Sequence, residues 1–427
     1  MIREYTKKAF AETFLQSKNK SGTHDEDVLR TAKEVLEDIR LNGDAAVKKY
    51  AAQFDGEVPE PWEVSPEERI QAWREVPQDV ISALQKAAEN IRRFHAKQLQ
   101  NSRIMEMNEN IISGQLFRPV EKAGIYVPGG TACYPSSVLM NAIPAVLAGV
   151  EEVVMATPAR NGTKIAPVLS VAADIAGVGT IYKLGGIQAI GALAYGTETI
   201  PAVDKIAGPG NAYVAAAKSL VYGTAGIDLI AGPSEVAIIA DENANPAYIA
   251  ADLIAQAEHD ERARTFLLTT SQKLINETKA ELEKQLVVLP RRGIAEVSIK
   301  MQSAAVLVAS IDEAFALSNR LAPEHLEIQV ENPLLQLSKV KNAGSVFLGE
   351  NTPEAIGDYY GGPNHVLPTS GTARFSSGLS VDDFYKKITY LYYGEKALQQ
   401  AAPDVMAIAA QERLEGHARA VQKRVKG

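Results

Sequence analysis

Over the first 110 residues, apolar positions recur every three or four residues between charged ones, as in VLRTAKEVLEDIR and VISALQKAAENIRRFHAKQL. That period is one face of a helix, so this stretch is predicted to form amphipathic helices with their apolar faces turned inward. From residue 124 the pattern changes to short apolar runs that end in glycine or proline: GIYVPGG, EEVVMATP, TIYKLGG, DKIAGPG and IDLIAGPSE. Each is followed by a helix-length stretch. A second series repeats the alternation with VAIIAD, TFLLTT, AVLVAS, HLEIQV and GSVFLG. Alternating strand and helix implies parallel sheets. From about residue 380, DDFYKKITYLYY and an alanine- and glutamate-rich stretch ending RVKG are predicted to be a helical tail, an element that often packs on a partner subunit.

The predicted class is therefore α/β: two Rossmann-like open parallel-sheet domains of similar build, plus N- and C-terminal helical segments. The expected boundaries are an N-terminal helical segment over 1–23, a first α/β domain from 24–125 and 234–379, a second over 126–233, and a tail over 380–427. No repeat is visible at the residue level, so duplication is a hypothesis that unlike strand orders in the two sheets would count against.

At 427 residues and 46% hydrophobic content, the chain exceeds the ~250–300 residues at which single cores stop growing. More than one domain follows. Lysine and arginine number 44 against 52 acidic residues, a net charge of -8, which gives no reason to expect nucleic acid as a partner. Cys133 is the sole cysteine, so neither an intrachain disulfide nor a cysteine-cluster zinc site is available, and a reducing, cytoplasmic compartment is expected. The charged start MIREYTKKAF and the lack of an apolar run of ~18 residues argue against secretion and membrane insertion. Imidazole chemistry must draw on His24, His95, His259, His325, His365 or His417.

Open parallel sheets bind ligands beyond the carboxyl ends of their strands, where this sequence places Tyr126-Val-Pro-Gly-Gly, Gly185-Gly-Ile-Gln188 and Gly208-Pro-Gly-Asn211. The GxGxxG fingerprint is absent, because Tyr213 stands where its third glycine would be. Taken alone, these turns serve a nucleotide site or ordinary strand-to-helix connections equally well. Gln256 and His259 follow a helix opened by Asn245-Pro246 and stand about 60° apart on one face, close enough to meet at one ion. Glutamine is an uncommon zinc ligand and HExxH is missing, so a solvated face is the stronger local reading. Glu324 and His325, after Pro323, suit proton relay, since burial raises a glutamate towards neutrality; a surface acid beside a satisfied histidine is the bland alternative. Asp358 and His365 occupy a glycine- and proline-rich stretch that fits a functional loop or a surface connection. Glu412 and His417 are about 140° apart on a helix and locally read as a solvated face.

Together, GIYVPGG, GGIQAIGALAYGT, KIAGPGNAYVAAAK, AGPSE, LIAQAEHD, LAPEHLE, GDYYGGPNHVLPTSGTARFSSGLS and ERLEGH, in that order, closely resemble histidinol dehydrogenase. The resemblance implies two-step, four-electron oxidation of L-histidinol via L-histidinaldehyde to L-histidine with two NAD, the last step of histidine biosynthesis. It implies one zinc per subunit of a homodimer, held by Gln256, His259 and Asp358 of one chain and His417 of the other, with the tail crossing between subunits. NAD contacts would fall on Tyr126, Gln188 and Asn211 in the second domain. Substrate contacts would fall on Ser234, Gln256, His259, His325, Asp358, Glu412 and His417, with Glu324 and His325 catalytic in the first domain. Competing readings are an NAD-dependent dehydrogenase of another small alcohol, a zinc-dependent hydrolase in which Glu324 activates water, and a non-catalytic metal or nucleotide sensor.

Overall fold

The runs VAIIA and FLLT are buried without exception, as expected of strands covered by helices on both faces. A computed structural model describes residues 2–15, 26–56, 58–129, 133–159, 164–230 and 232–425; His24 lies outside them. In chain order its strands are β1 (Arg3–Tyr5), β2 (Arg103–Met107), β3 (Ile111–Pro119), β4 (Lys122–Tyr126), β5 (Glu152–Thr157), β6 (Thr180–Lys183) and β7 (Lys205–Ala207). They continue with β8 (Gly226–Ile227), β9 (Glu235–Ala240), β10 (Arg264–Thr269), β11 (Ala304–Leu307), β12 (His325–Gln329), β13 (Ser345–Leu348) and β14 (Tyr385–Tyr393).

Two parallel sheets carry the α/β class that the alternating pattern predicts. One has six strands in the order β1-β11-β10-β9-β12-β13, the other five in the order β6-β5-β4-β7-β8. Setting β1 aside, both sheets follow 3-2-1-4-5 in their own sequence order, as the first five strands of a doubly wound dinucleotide-binding sheet do. Like orders are what the duplication hypothesis requires.

Helices Pro135–Ala148 and Pro167–Ala176 cover one face of the five-stranded sheet, and Gly186–Tyr195 and Ala212–Val221 the other. The first two end in left-handed glycines, Gly149 and Gly177, which satisfy the last carbonyls where a side chain would be strained. The amphipathic helices of the N-terminal region form an outer layer on this same sheet. Val35, Leu36 and Ile39 of Glu26–Phe54 meet Ile187, Ile190 and Leu193, while Pro66–Glu75 and Gln78–His95 lie on the opposite side. Residues 26–95, expected with the first domain, thus pack on the sheet of the second, because that is where their apolar stripes find matching helices.

Two further expectations are corrected. The N-terminal segment opens with strand β1, whose Arg3 pairs with Ala304 of β11, and among its described residues Lys7–Phe10 and the Ala11–Leu15 turn are helical. The tail begins with a strand, since alternating β-branched and aromatic residues in KITYLYY favour extended backbone. Its Tyr385 to Tyr393 pair antiparallel with Pro119 to Ile111 of β3, and β2, also in the region predicted to be helical, completes a three-stranded sheet. The remainder of the tail is helical, over Glu395–Gln411 and Glu415–Gln422. Among the described residues, no helix is long and apolar enough to cross a membrane.

Candidate active site

Glu324 and His325 stand at the amino end of β12, where Ala322 adopts a left-handed conformation (φ 52°) before Pro323 and the chain then enters the sheet. Both side chains are buried. Glu324 accepts a hydrogen bond from the Glu235 backbone N–H at 3.0 Å. Burial pushes its carboxyl up to about 7, against the opposing pull of His325 and of that N–H.

The helix Pro246–Ala257, capped by Asn245, delivers Gln256 on its last turn and His259 just beyond. The Gln256 amide lies 3.1 Å from His325 Nδ1. Turned so that its NH2 meets the acceptors around it, it donates to Glu354 Oε1 at 2.9 Å and Oε2 at 3.1 Å. The short helix Glu354–Tyr359 places Glu354 and Asp358 four apart, on one face. His325 Nδ1 is 3.3 Å from the Glu235 carbonyl, 3.8 Å from Glu324 Oε2 and 3.7 Å from Glu354 Oε1. His325 Nε2 faces Asp358 Oδ1 at 3.7 Å and has no hydrogen-bond partner.

The electrostatics separate the roles. Burial disfavours a charged His325, but Glu354, Glu324 and Asp358 around it outweigh that and hold the imidazole well above its ordinary range. Burial keeps His259 below its ordinary range, hence neutral with a lone pair to give. Asp358 is also desolvated, yet contact with His325 keeps its carboxyl low and ionised. One ligand atom each from His259, Glu354 and Asp358 lies within 4.8 Å of the others. A neutral imidazole and carboxylates are donors that zinc accepts.

The fold thus brings together five residues singled out in the sequence: Gln256, His259, Glu324, His325 and Asp358. Ser234 precedes Glu235 at the start of β9, its carbonyl accepting from Arg264 N at 3.0 Å. Glu354 escaped the sequence reading, although its four-residue spacing from Asp358 after the helix-opening Pro353 was a usable signal. His365 is an anchor: Nδ1 meets the Asp358 carbonyl at 2.9 Å and Nε2 the Ser137 hydroxyl at 3.3 Å. Through that contact the first turn of helix Pro135–Ala148 abuts the Asp358 loop.

Tyr126, Gln188 and Asn211 line the carboxyl edge of the five-stranded sheet. Tyr126 Oη accepts from Gly186 N at 3.1 Å, and burial pushes its phenol up to about 12. Gln188 Nε2 donates to Asp55 Oδ2 at 2.9 Å, while its buried Oε1 has no partner. Asn211 Oδ1 caps the next helix, accepting from Tyr213 N and Val214 N. Glu412 and His417 are exposed on the tail, and within the chain they do not join the cluster.

A family profile described as histidinol dehydrogenase matches residues 18–425. The chain belongs to the histidinol dehydrogenase family. It is 53% identical over 400 residues to histidinol dehydrogenase from Bacillus cereus, covering 94% of this chain and 93% of that one. It is 50% identical over 416 residues to that of Clostridium acetobutylicum, covering 97% and 96%. The crystal structure of histidinol dehydrogenase from Elizabethkingia anophelis superposes with a TM-score of 0.93 at 41% identity, covering 99% of this chain and 98% of its own. Histidinol dehydrogenases are NAD-dependent, zinc-binding oxidoreductases of histidine biosynthesis. The residues present suit both groups: neutral His259 beside ionised Asp358 and the partnerless His325 Nε2 fit a metal-bound polar substrate, and the partnerless Gln188 Oε1 on a glycine-turned sheet edge fits a nucleotide. Membership in this family sets the hydrolase reading aside.

Proposed function

We propose that this chain converts L-histidinol through L-histidinaldehyde to L-histidine in one site, using two NAD in succession. The observation that carries this is the adjacency of buried Glu324 and His325 to the donor cluster of His259, Glu354 and Asp358. Gln256, His259 and Asp358, with His417 of the partner subunit, would hold zinc, and Tyr126, Gln188 and Asn211 would hold NAD. Bound zinc supplies a Lewis-acidic point that orients the amino alcohol, and bound NAD accepts hydride.

The chain's own residues handle protons. In its neutral form, with Nδ1–H turned to the Glu235 carbonyl, His325 takes the alcohol proton at Nε2, the ring nitrogen that lacks a hydrogen-bond partner, and its carboxylate neighbours stabilise the imidazolium that results. Glu324, with its carboxyl near 7, accepts a proton from the water that adds to the aldehyde. The buried site keeps the reactive aldehyde from escaping between the two oxidations. Ser234, Gln256, His259, His325 and Asp358 contact the substrate, joined by Glu412 and His417 of the partner subunit.

A homodimer is supported by the tail. Its helices pack chiefly on each other and, with β14, expose Leu391, Tyr392, Val405, Ile408 and Leu414, an apolar arm that wants cover. A cytoplasmic home is supported by the single cysteine. The deciding experiment counts NADH formed per histidinol consumed. Two is expected; one would mark an ordinary alcohol dehydrogenase and refute the single-site sequence.

A further inference from the structure

We propose that Asp55 sets the choice of dinucleotide: its carboxylate accepts from the ribose hydroxyls of NAD and turns away a 2′-phosphate. This rests on placing the nucleotide at the carboxyl edge of the five-stranded sheet. In doubly wound sheets the acid that reads the ribose stands near the end of the second strand. Here that strand, β5, ends at Thr157 and is followed by Pro-Ala-Arg-Asn-Gly, with no acid; Arg160 lies outside the described residues.

The missing carboxylate arrives from elsewhere in the chain. The helix Glu26–Phe54 packs along Gly186–Tyr195 and ends where that helix begins, so Asp55 reaches Gln188 at 2.9 Å. Gln188 spends its NH2 on Asp55 Oδ2, which leaves the second Asp55 oxygen to accept from a ligand, while the buried Gln188 Oε1 also lacks a partner. Gly186 helps to keep this pose: it sits at φ 62°, and a Cβ there would stand 2.7 Å from Gln188 Oε1. A carboxylate held in place by an amide N–H matches a ribose hydroxyl, which brings an O–H donor. A phosphate monoester brings only acceptors and about −1.5 to −2 charge, so beside Asp55 it meets a carboxylate of like charge.

The test uses the full-length, zinc-loaded enzyme and its Asp55→Asn, Asp55→Ser and Asp55→Glu variants, comparing kcat/KM for NAD and NADP at saturating histidinol. For Asp55→Asn and Asp55→Ser, NAD efficiency should fall and the NADP-to-NAD ratio should rise about tenfold or more, as expected when a hydroxyl-reading acceptor is lost. Asp55→Glu should keep the preference for NAD, and zinc content and histidinol KM should hold throughout. If both cofactors decline in parallel, or the ratio stays put, Asp55 only props up Gln188 and the proposal fails. Asn211→Ala and Tyr126→Phe test the edge itself. If neither raises KM for NAD, the nucleotide lies elsewhere, a failure of the underlying reading; if either does while the Asp55 ratio is flat, only the Asp55 assignment falls.

Discussion

His325 Nε2 and Asp358 Oδ1 face each other across 3.7 Å, and the imidazole nitrogen has no hydrogen bond although the residue is only 4% exposed. A buried polar atom left unpaired in this way costs about 1–3 kcal/mol, so a ligand group is the natural occupant of the space it faces. Glu324, on the other side of the ring, touches Nδ1 rather than Nε2. The two neighbours in sequence therefore address different protons.

Glu324→Gln should separate the half-reactions. Hydride loss from the alcohol needs His325 alone, whereas oxidation of the aldehyde needs a carboxylate to activate water. The variant is expected to form the first NADH at close to the wild-type rate and to lose about 10²–10⁴-fold in net histidine formation. Rapid-quench measurement of each NADH, with histidinol and with histidinaldehyde as substrates, checks this. Equal loss in both steps would reverse the division of labour.

The same residue sets a pH dependence. Its carboxyl is raised to about 7, so the basic form fills as pH rises through that value, and histidinaldehyde oxidation should climb across pH 6–8 and then level. The sign for stability is opposite. A carboxyl raised in the fold favours its protonated form there, so its stabilising contribution is complete below the unfolded value, ~4.5, and is lost as pH rises through 7. Glu324→Gln should flatten the kinetic limb in that range; an unchanged profile would assign it to another group.

Much of this site was legible in the sequence, for a physical reason: each of Glu324, His325, Gln256, His259 and Asp358 sits where an element starts or stops, and such junctions announce themselves through proline, asparagine and glycine. The doubly wound sheets were legible because buried parallel strands are continuous apolar runs. Glu354 was not, because only the meeting of β12 with the helix carrying it makes that carboxylate face Gln256. Nor was the placement of residues 26–95, since an amphipathic stripe says that a face is covered but not by what. The strand Tyr385–Tyr393 hid within a charged stretch because one antiparallel edge leaves most of its side chains exposed.

His417 carries the dimer reading. It is exposed on the isolated chain, so if it completes the metal site it does so in the partner subunit. His417→Asn should then reduce zinc content, measured after gel filtration at low free zinc, and abolish histidinol oxidation. Mixing inactive His417→Asn with inactive His259→Asn protein should restore about a quarter of wild-type activity, because random exchange makes half the dimers mixed and each of those holds one intact site. No recovery after demonstrated subunit exchange would place both residues in one chain's site.

Lys218 and Asp228 form an ion pair that is almost fully buried, 2% and 1% exposed at the side chains. It clamps the turn that opens with Gly208: Lys218 Nζ donates to the Gly208 carbonyl at 2.8 Å, and Gly208 N donates to Asp228 Oδ2 at 2.8 Å. That turn leads into the helix capped by Asn211, so the pair holds one wall of the nucleotide edge in place. Gly208 has no room to adjust, as a Cβ there would lie 2.0 Å from the Tyr126 carbonyl oxygen. Removing only the cation strands a buried carboxylate, which typically costs about 3–5 kcal/mol, whereas replacing both charges costs less. Lys218→Met should lower the melting temperature by several degrees and raise KM for NAD. Adding Asp228→Asn to it should recover part of the stability. If the double variant melts below the single one, the pair is a net stabiliser in its own right, and the stranded charge is not what unfolds the edge.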